Sequence, residues 1–378
     1  MDAMPHDIAK RPYKVLLIDL ARSYGGAEVR TQTQATALES AVQGCAVAVL
    51  HGSPLHERLT KLGVPCEVLA FGRGSPALAL KLRAIIKRGG YHIIDAHNVQ
   101  SILWGHWAAW LAGVRGCVAT IHSDYGAEYP NLKGKFYEGV LRLNRLIARQ
   151  YITVTETLQS KAERQGLGER ATLIHNAVPI PPLPLPEPDH ALRAAWNAAP
   201  DDFVIGIVAR LKPVKGHRYL LDAMAQVRDL PVKLVIIGEG PLHAELTAQV
   251  QALGIADRVH FAGFREDVLS LLPSLDCVCM ASLSEALPYA VLEAASYARP
   301  LLCTAVGGLA TLLQEGVTAR LVPAQDSAAL AEGIRQLTAD RQSARQLGMN
   351  AYQMVAERFS QTVMLKKILQ VYDKAIGI

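Results

Sequence analysis

The chain has 378 residues, of which 50% are hydrophobic and 19% are charged, and its formal net charge is +5. This composition excludes intrinsic disorder, and the length suffices for two domains that each bury a core. No apolar run reaches the ~18–20 residues of a membrane-spanning helix or resembles a signal sequence, so we expect a cytoplasmic protein. The six cysteines include no Cys-x-x-Cys pair, which indicates reduced and mostly buried thiols.

Positive charge is concentrated in the first half of the chain. Residues 1–178 carry seven more Lys and Arg than Asp and Glu, whereas residues 179–378 carry two more acidic than basic residues. A nucleic acid, an anionic lipid or a phosphorylated ligand would each account for the basic half, and so would chance.

Short β-rich apolar runs alternate with longer helix-like segments in residues 1–178. Fully apolar strands between amphipathic helices are typical of a parallel sheet covered on both faces, so we predict a doubly wound α/β domain. The predicted strands are Lys14–Leu20, Ala46–Leu50, Cys66–Ala70, Tyr91–Ala96, Cys117–His122, Tyr151–Thr155 and Ala171–His175.

A proline-rich segment then interrupts the pattern, with six prolines between Pro179 and Pro188. Such a run forms neither a helix nor a central strand, and we predict a linker over residues 179–194. Beyond it the alternation restarts, which predicts a second doubly wound domain over residues 195–360. Its predicted strands are Phe203–Ala209, Val232–Gly238, Arg258–Gly263, Leu275–Met280, Pro300–Thr304 and Ala319–Val322.

Two carboxylates flank a predicted helix start after the strand that ends near Met280. Pro288 suits the first turn of a helix, Glu285 lies in the loop before it, and Glu293 lies inside it. Free backbone amides at this helix start would face an anion. The amides in question belong to Tyr289, Ala290 and Val291. The alternative is an ordinary helix-start acid with one solvated glutamate.

Basic residues follow the first strand of the second domain. Arg210 and Lys215 emerge at its carboxyl end, where a planar guanidinium and a compact ammonium could clamp a diphosphate. Solvated loop charges are the alternative. Gly238 and Gly240 end the next strand but do not complete a dinucleotide fingerprint, because His243 occupies the third glycine position.

Together these motifs resemble the nucleotide-binding half of family 4 glycosyltransferases, which are retaining enzymes of the GT-B fold. The likeness covers nearly all of the chain and is most specific across residues 203–323. It rests on Arg210 with Lys215, Gly238-Glu239-Gly240-Pro241, Phe261-Ala262-Gly263-Phe264-Arg265, Glu285 with Glu293, Val306-Gly307-Gly308-Leu309 and Gly316-Val317-Thr318-Ala319-Arg320-Leu321-Val322.

The resemblance implies an architecture of two Rossmann-like domains with parallel sheets that face a central cleft. The domain of residues 1–178 would lie on the acceptor side, and that of residues 195–360 would bind the nucleotide sugar. Residues 361–378, which include a predicted helix over Val363–Ile376, would cross back to the first domain.

The resemblance also implies a role for each charged residue. Arg210 and Lys215 would neutralise the donor diphosphate, both when it binds and as it gains charge on leaving. Glu293 would accept hydrogen bonds from the ribose hydroxyls, and Glu285 would contact the transferred sugar near the reacting carbon.

Further donor contacts are implied at other strand ends. The backbone around Phe264 and Arg265 would hold the base, and His122 would reach the donor sugar, although a structural histidine is the alternative. Gly25 and Gly26 match the family's glycine-rich loop near the donor phosphates, where φ > 0 would permit close backbone approach. An ordinary strand-to-helix turn explains the two glycines nearly as well.

Three segments depart from the family pattern. Ala286 replaces a glycine after the first glutamate, Ala310-Thr311 replaces Pro-Glu, and Asn176-Ala177-Val178-Pro179 replaces Asn-Gly-Val-Asp. None removes a charged group, but Ala286 could alter how the sugar is seated, so the identity of the sugar stays open. The sequence also leaves the base open between UDP and GDP.

Motifs for other site classes are missing from the sequence. It contains no metalloprotease, P-loop or nucleophile-elbow motif and no Asp-x-Asp. Protein cations and helix N-termini must then meet the phosphate charge, and we predict no essential metal and no cofactor.

A basic amphipathic helix is predicted in the first domain, and it could lie on anionic lipid or be a solvated face. Its cations are Lys133, Lys135, Arg142, Arg145 and Arg149. Trp104, Trp107 and Trp110 fall at helical spacing nearby, and we predict that they pack in the core.

The sequence thus predicts a retaining hexosyltransferase that moves a sugar from a nucleoside diphosphate to a glycan or lipid-linked acceptor, in cell-surface polysaccharide or glycolipid synthesis. It would be cytoplasmic or peripheral on the inner face of the plasma membrane. The alternatives are a sugar-nucleotide epimerase or hydrolase, a non-catalytic sugar-nucleotide-binding protein, and a nucleic-acid-binding protein. The last is disfavoured because aromatic-basic RNA motifs are missing.

Overall fold

The computed structural model describes residues 8–70, 72, 75–128 and 131–378, and the chain divides into two units. The N-terminal unit contains the described residues up to Ala177 together with Gln361–Ile378. The C-terminal unit contains Val178–Ser360.

The N-terminal unit is built on a seven-stranded sheet. Its strands are β1 (Arg11–Asp19), β2 (Val42–Leu50), β3 (Cys66–Leu69), β4 (Ile93–His97), β5 (Gly116–Ile121), β6 (Gln150–Thr153) and β7 (Ala171–Leu173). All neighbours pair in parallel in the order β3-β2-β1-β4-β5-β6-β7, which confirms each strand predicted for this half.

Helices connect these strands. They are α1 (Gly26–Ala41), α2 (Pro54–Lys61), α3 (Ala77–Gly89), α4 (Val99–Ala112), α5 (Tyr125–Glu128), α6 (Leu132–Asn144) and α7 (Glu156–Arg164). The predicted basic helix is α6, but it ends before Arg145 and Arg149. The chain turns there towards β6, and the Arg149 amide donates to the carbonyl oxygen of Cys117 at 2.8 Å.

The prediction that the tryptophans of α4 pack in the core is wrong for two of them. Trp107 is 42% exposed and Trp110 is 62% exposed, and only Trp104 packs against the apolar core. The buried stripe of α4 consists instead of small residues such as Gly105 and Ala109. A Cβ on Gly105 would overlap Ile18, so the helix lies too close to β1 for a large side chain on that face.

The C-terminal unit is built on a six-stranded parallel sheet in which every predicted strand is again confirmed. The strands are β8 (Phe203–Val208), β9 (Val232–Ile237), β10 (Val259–Gly263), β11 (Cys277–Met280), β12 (Leu301–Thr304) and β13 (Arg320–Val322). Their order is β10-β9-β8-β11-β12-β13. The helices are α8 (His190–Ala195), α9 (His217–Gln226), α10 (His243–Ala252), α11 (Val268–Leu271), α12 (Tyr289–Ser296), α13 (Gly307–Leu312), α14 (Ser327–Ala339) and α15 (Arg341–Phe359).

The proline-rich segment belongs to the C-terminal unit. The amide of Val178 donates to the carbonyl oxygen of Phe359 at 3.0 Å, and the Tyr352 hydroxyl donates to the carbonyl oxygen of Pro181 at 3.0 Å. The helix α8 begins at His190, inside the range predicted as a linker.

The last helix, α16 (Gln361–Ile376), packs in the N-terminal unit against α1 and β5. Its buried face includes Ile368 and Tyr372, and Asp373 pairs with Arg11 at 3.0 Å. The helix therefore completes one apolar layer of the first sheet.

Apolar cores cover both faces of each sheet. Along β1, Val15 and Leu17 enter one core and Leu16 and Ile18 enter the other, as the two-residue period of a strand requires. Within the described part of the chain, no helix is both long and apolar enough to cross a bilayer.

The strand order of each sheet reverses once. β1 lies between β2 and β4 in the first sheet, and β8 lies between β9 and β11 in the second. Connections on the two sides of such a point leave in opposite directions, which opens a crevice at the carboxyl ends of the strands where ligands bind. Each unit has one such edge, formed after β1 and β4 or after β8 and β11.

Candidate functional site

The loop after β8 carries the predicted diphosphate cations. The amides of Ala209 and Leu211 donate to carbonyl oxygens on the β9 side at 3.0 and 2.9 Å, so the chain stays extended past the strand. Arg210 projects between them and is exposed, and it makes no ion pair or hydrogen bond with its side chain among the described residues. Its positive charge is therefore uncompensated.

Lys215, by contrast, is already paired. Its Nζ lies 2.5 Å from Oε1 of Glu285, and their side chains are 20% and 8% exposed. The Ser282 hydroxyl donates to the same carboxylate oxygen at 2.7 Å. The Ser282 carbonyl in turn accepts from Thr304 Oγ1 at 2.6 Å, which holds this loop on the end of β12. The structure thus places Lys215 and Glu285, predicted to serve different parts of the donor, in direct contact.

The glycine pair of the motif Val306-Gly307-Gly308-Leu309 positions Glu285 through its backbone. The Gly308 amide donates to the carbonyl oxygen of Glu285 at 3.0 Å. A Cβ on Gly308 would overlap the carbonyl oxygen of Ala286, so only glycine allows the start of α13 to approach the loop this closely. Ala286, one of the departures from the family pattern, thus lies with its carbonyl oxygen directly against Gly308.

Glu293 lies one turn inside α12. Its side chain is partly exposed, and its carboxylate makes no hydrogen bond or ion pair among the described residues. Burial raises its pKa to about 7. A carboxylate in this state gains from any donor that replaces the lost water, such as a pair of hydroxyl groups.

The start of α12 lacks a capping side chain, as an anion site requires. Pro288 is the N-cap rather than a first-turn residue, and Tyr289 begins the helix. Of the three amides expected to be free, that of Val291 is not, because it donates to the carbonyl oxygen of Pro288 at 3.2 Å. The Ala290 amide has no such partner within the part of the chain that the structure describes.

The strand ends of β9 and β10 form the outer side of this edge. The Gly238 amide donates to the carbonyl oxygen of Gly263 at 2.8 Å, and φ at Gly238 is +144°, which L side chains rarely adopt. Phe264 is 60% exposed. The Arg265 guanidinium bonds to the Asp267 carboxylate at 2.7 Å and lowers the pKa of that carboxyl to about 2. An exposed aromatic ring beside two strand ends suits the stacking of a flat ligand.

In the N-terminal unit, Gly25 and Gly26 form the exposed start of α1. Gly25 is the N-cap with an extended backbone (φ −162°), and no side chain caps the helix. Neither glycine lies in the left-handed region, so the positive φ that glycine permits is not used here. What remains of that prediction is an uncapped helix N-terminus after β1.

His122 follows β5 and is bonded to a second histidine that the sequence analysis did not select. Nδ1 of His97 lies 3.0 Å from Nε2 of His122. The ring centroids are 5.2 Å apart and the planes differ by 26°, which fits an in-plane hydrogen bond between two imidazoles. Burial lowers the pKa of His97 to about 3 and holds that of His122 well below its usual range. Both rings are neutral near pH 7.

Asp95 selects the tautomers of this pair. Its Oδ2 lies 3.7 Å from Nε2 of His97, a buried nitrogen without a hydrogen-bond partner among the described residues. A carboxylate attracts an N–H and repels a lone pair, so the proton of His97 belongs on Nε2. Nδ1 of His97 then accepts from the Nε2–H of His122, and Nδ1 of His122 keeps its lone pair.

A buried polar network surrounds the histidines. Asp95 accepts from the hydroxyls of Tyr372 and Thr120 and from the Gln34 amide, each at 2.7 Å. Asp19, at the end of β1, accepts from Thr31 and Asn98, and its burial raises its pKa to about 7. Such a network rigidifies this edge of the sheet.

Sequence reasoning missed three polar residues of these edges: Ser282, His97 and His217. His97 ends a strand, Ser282 follows one and His217 begins a helix, each at a sheet edge, which was the available signal. His217 begins α9, is 2% exposed, and has no hydrogen-bond partner for either ring nitrogen among the described residues. Burial and the neighbouring Lys215 lower its pKa to about 4. In the same described part, no cluster of His, Cys, Asp and Glu has the composition of a metal site.

Two family models match the chain. Glycosyltransferase Family 4 matches residues 24–180, and Glycosyl transferases group 1 matches residues 189–354. The first match holds most of the N-terminal sheet edge, and the second holds the cations and carboxylates of the C-terminal one.

Curated relatives are similar over most of the chain. The D-inositol 3-phosphate glycosyltransferase of Mycobacterium sp. (strain JLS) is 30% identical over 292 residues, 71% of this chain and 63% of that protein. The chain thus spans less than two thirds of that relative's length. The N-acetyl-alpha-D-glucosaminyl L-malate synthase of Bacillus anthracis is 27% identical over 303 residues, 78% of each protein.

Solved structures are similar over nearly the whole chain. Anabaena HepE in complex with UDP-glucose is 25% identical with a TM-score of 0.76, over 95% of this chain and 98% of that one. Sucrose-phosphate synthase from Thermosynechococcus elongatus is 22% identical with a TM-score of 0.74, over 97% and 99%, a likeness of fold alone.

Proposed function

Because the chain belongs to the family 4 glycosyltransferases, which have the GT-B fold, we propose that it transfers a sugar from a nucleoside diphosphate to an acceptor hydroxyl with retention of configuration. The observation that carries the proposal is the charge arrangement after β8 and β11. Arg210 is an uncompensated cation, Lys215 holds Glu285, and α12 begins without a cap. Such an edge suits a diphosphate.

The proposed reaction breaks the bond between the anomeric carbon and a phosphate oxygen, so negative charge grows on the diphosphate. Arg210 stabilises that charge directly. The Lys215 ammonium has three N–H groups and can bond to a phosphate while it keeps Glu285. The acceptor oxygen attacks from the face that the diphosphate leaves, and its proton passes to the departing phosphate oxygen. We assign no covalent nucleophile.

The carboxylates act on the rest of the donor. Glu285, held by Ser282 and Lys215, offers its remaining lone pairs to hydroxyls of the transferred sugar. Glu293 binds the ribose hydroxyls, and Phe264 lies beside the base. The assignment of His122 to the donor sugar is kept as a prediction from the resemblance, with its Nδ1 as the acceptor of a sugar hydroxyl.

We expect UDP rather than GDP as the nucleotide, since the HepE structure was solved with UDP-glucose. Thermal-shift measurements with UDP-glucose, UDP-N-acetylglucosamine and GDP-mannose test this, because a ligand at ~100 times its Kd adds ~2.7 kcal/mol to folding stability. The shift should vanish in Arg210→Ala and persist in Lys212→Ala, a neighbouring exposed loop cation. A panel without any shift would overturn the proposed function.

An epimerase or a hydrolase would consume the same donor without an acceptor. A transferase is therefore distinguished from an epimerase or a hydrolase by measuring whether turnover of UDP-glucose depends on an added acceptor. Two relatives are named for small acidic compounds, inositol 3-phosphate and L-malate, which supports including these in an acceptor screen beside glycans and lipid-linked glycans.

We further propose that the enzyme attaches peripherally to the inner face of the plasma membrane through α6 and the turn after it, in polysaccharide or glycolipid synthesis. Large apolar side chains are exposed on this segment, including Leu132 at 83%, Phe136 at 60% and Leu146 at 84%. Cations lie among them, and each contributes about 1 kcal/mol near an anionic surface. The cations are Lys133, Lys135, Arg142, Arg145 and Arg149.

Flotation with anionic and neutral liposomes tests this attachment. Recovery on anionic liposomes should fall at high salt, since the Debye length drops from ~10 Å at 0.1 M to ~3 Å at 1 M. Two results would show that this segment is only a solvated face of the protein. One is equal recovery on both lipids, and the other is retention after Arg142, Arg145 and Arg149 are all changed to Glu.

A further inference from the structure

A cavity of about 570 Å³ lies in the N-terminal unit beside α6, within the size range of small-molecule sites. Side chains from α6, α7 and the strands β5 and β6 line it. Its apolar wall is formed by Leu141, Tyr151, Leu158, Ala162 and Leu167. Most of this wall is part of the core, since Tyr151 is 3% exposed and Leu158 is 7% exposed. The cavity therefore reaches from the surface to the apolar interior.

The polar lining of the cavity is unevenly paired. Lys161 binds both carboxylates of the lining, Asp124 at 2.6 Å and Glu138 at 2.8 Å. Lys135 and Arg142 make no ion pair among the described residues, and Arg145 donates only to neutral oxygens of Gln165. The three cations Lys135, Arg142 and Arg145 form what we call the basic rim. The rim offers positive charge that no carboxylate of the described chain neutralises.

Tyr151 adds an unpaired polar atom to the wall. Its hydroxyl is buried and makes no hydrogen bond among the described residues. A buried hydroxyl without a partner is destabilising, and a ligand oxygen that reached it would accept this hydrogen bond. The wall thus combines apolar surface with one donor.

We propose that this cavity binds the apolar chain of an anionic amphiphile, whose charged head lies on the basic rim. Apolar surface removes the chain from water, and the uncompensated cations select a negative head over a neutral or positive one. The exposed apolar residues of α6 lie on the same helix as Lys135 and Arg142, and Arg145 directly follows that helix, so a membrane surface would supply the ligand where the cavity opens. Ser123, which directly follows His122, also lines the cavity. The identification of this amphiphile as an acceptor substrate rests on the proposed function.

Binding of decyl phosphate by isothermal titration calorimetry, below its micelle concentration and on the full chain, tests the proposal. We expect 1:1 binding that is at least about tenfold tighter than that of decyl maltoside or decyltrimethylammonium. Inorganic phosphate alone should bind at least about tenfold more weakly than decyl phosphate, because it fills only the rim. Equal affinity for the anionic and cationic amphiphiles, or for phosphate with and without the chain, would overturn the proposal.

Gly139 offers a variant that blocks the cavity without disturbing the core. It lines the cavity from α6, and a Cβ there would meet no atom within 4 Å. Gly139→Trp should weaken decyl phosphate binding by more than about tenfold, whereas the matched Gly139→Ala should bind as the parent does. Both replace a helical glycine and should fold. Unchanged affinity in Gly139→Trp would overturn the site.

Charge variants test the rim. Replacing Arg142 and Arg145 by Gln should weaken decyl phosphate binding by more than about tenfold, while Arg164→Gln, an exposed cation of α7 outside the lining, should not. If the two changes weakened binding equally, the basic rim would not be a specific site for the head group, and the proposal would be refuted. UDP-glucose binding measured on the same samples separates the proposals. Donor binding without decyl phosphate binding refutes the cavity site alone, and the reverse result refutes the proposed donor function alone.

Discussion

The carboxyl edges of the two sheets differ in how they satisfy their polar groups. In the N-terminal unit, Asp95 and Asp19 accept several hydrogen bonds from their own chain, and the neighbouring histidines are neutral. In the C-terminal unit, Arg210 and Glu293 have no side-chain partner among the described residues. Lys215 shares the Glu285 carboxylate with the Ser282 hydroxyl.

This contrast indicates which of the two edges can bind a charged ligand. A network that is satisfied internally gains little from a ligand and serves to hold side chains in place. Cations and a partly desolvated carboxylate without partners gain directly when phosphate and hydroxyl groups arrive. The C-terminal edge should therefore govern affinity and rate through charge, and the N-terminal edge should act through geometry.

The largest effect is expected from removing the cations of the C-terminal edge. Arg210→Ala and Lys215→Ala should each lower the rate by ~10²-fold or more, because their attraction to the diphosphate grows as the bond breaks. Steady-state kinetics with UDP-glucose and a responsive acceptor give the measurement. Lys212→Ala is the control for loop charge. Activity near the parent level in either variant would refute the assignment of that residue to the diphosphate.

A smaller, pH-dependent effect is expected at Glu293. Its pKa of about 7 means that the charged form, which binds the ribose, is lost on acidification, so donor affinity should fall about tenfold between pH 8 and pH 6. Glu293→Gln should raise the donor KM more than ~10-fold at pH 8, where a charge-assisted bond of ~1.5–3 kcal/mol is lost. The variant should also show no such pH dependence. An unchanged KM in the folded variant would exclude Glu293 as the ribose ligand.

At the N-terminal edge we expect a positioning effect of roughly two- to tenfold from His97, the range of one lost hydrogen bond. His97→Phe should lower kcat by this factor and change the tautomer of His122, since the acceptor for its Nε2–H is gone. Nitrogen-15 NMR of histidine-labelled protein reads the tautomer directly. His97→Asn can place an amide oxygen where Nδ1 was and should restore both readouts. An unchanged His122 tautomer in His97→Phe would refute the assignment.

The smallest effect concerns Asp19 and stability. Burial raises its pKa to about 7, so the folded chain binds a proton that the unfolded chain has released. The contribution to stability is present below pH ~4 and is lost as the pH rises through about 7, by about 1 kcal/mol between pH 6 and pH 7. Urea unfolding across this range should show the slope in the parent and a smaller slope in Asp19→Asn. Parallel slopes would contradict a raised pKa.

The two parallel sheets and the charged residues of the C-terminal edge follow from the amino-acid sequence alone. Strands such as Val15–Ile18 are buried on both faces, so an uninterrupted apolar run identifies them without knowledge of their partners. Arg210, Lys215 and Glu285 were selected because they follow strands, and the carboxyl ends of parallel strands share one edge. Strand position thus carried the information.

Which of these residues contact one another depends on the folded structure. Glu285 holds Lys215 across 70 positions of sequence, and His97 fixes His122 across 25. The exposed tryptophans of α4 and the end of α6 at Asn144 also depended on neighbouring elements. Local patterns report burial and period, whereas these contacts arise from strands that the sheet brings side by side. The pairing of charges and the selection of a tautomer are therefore properties of the folded sheet edge.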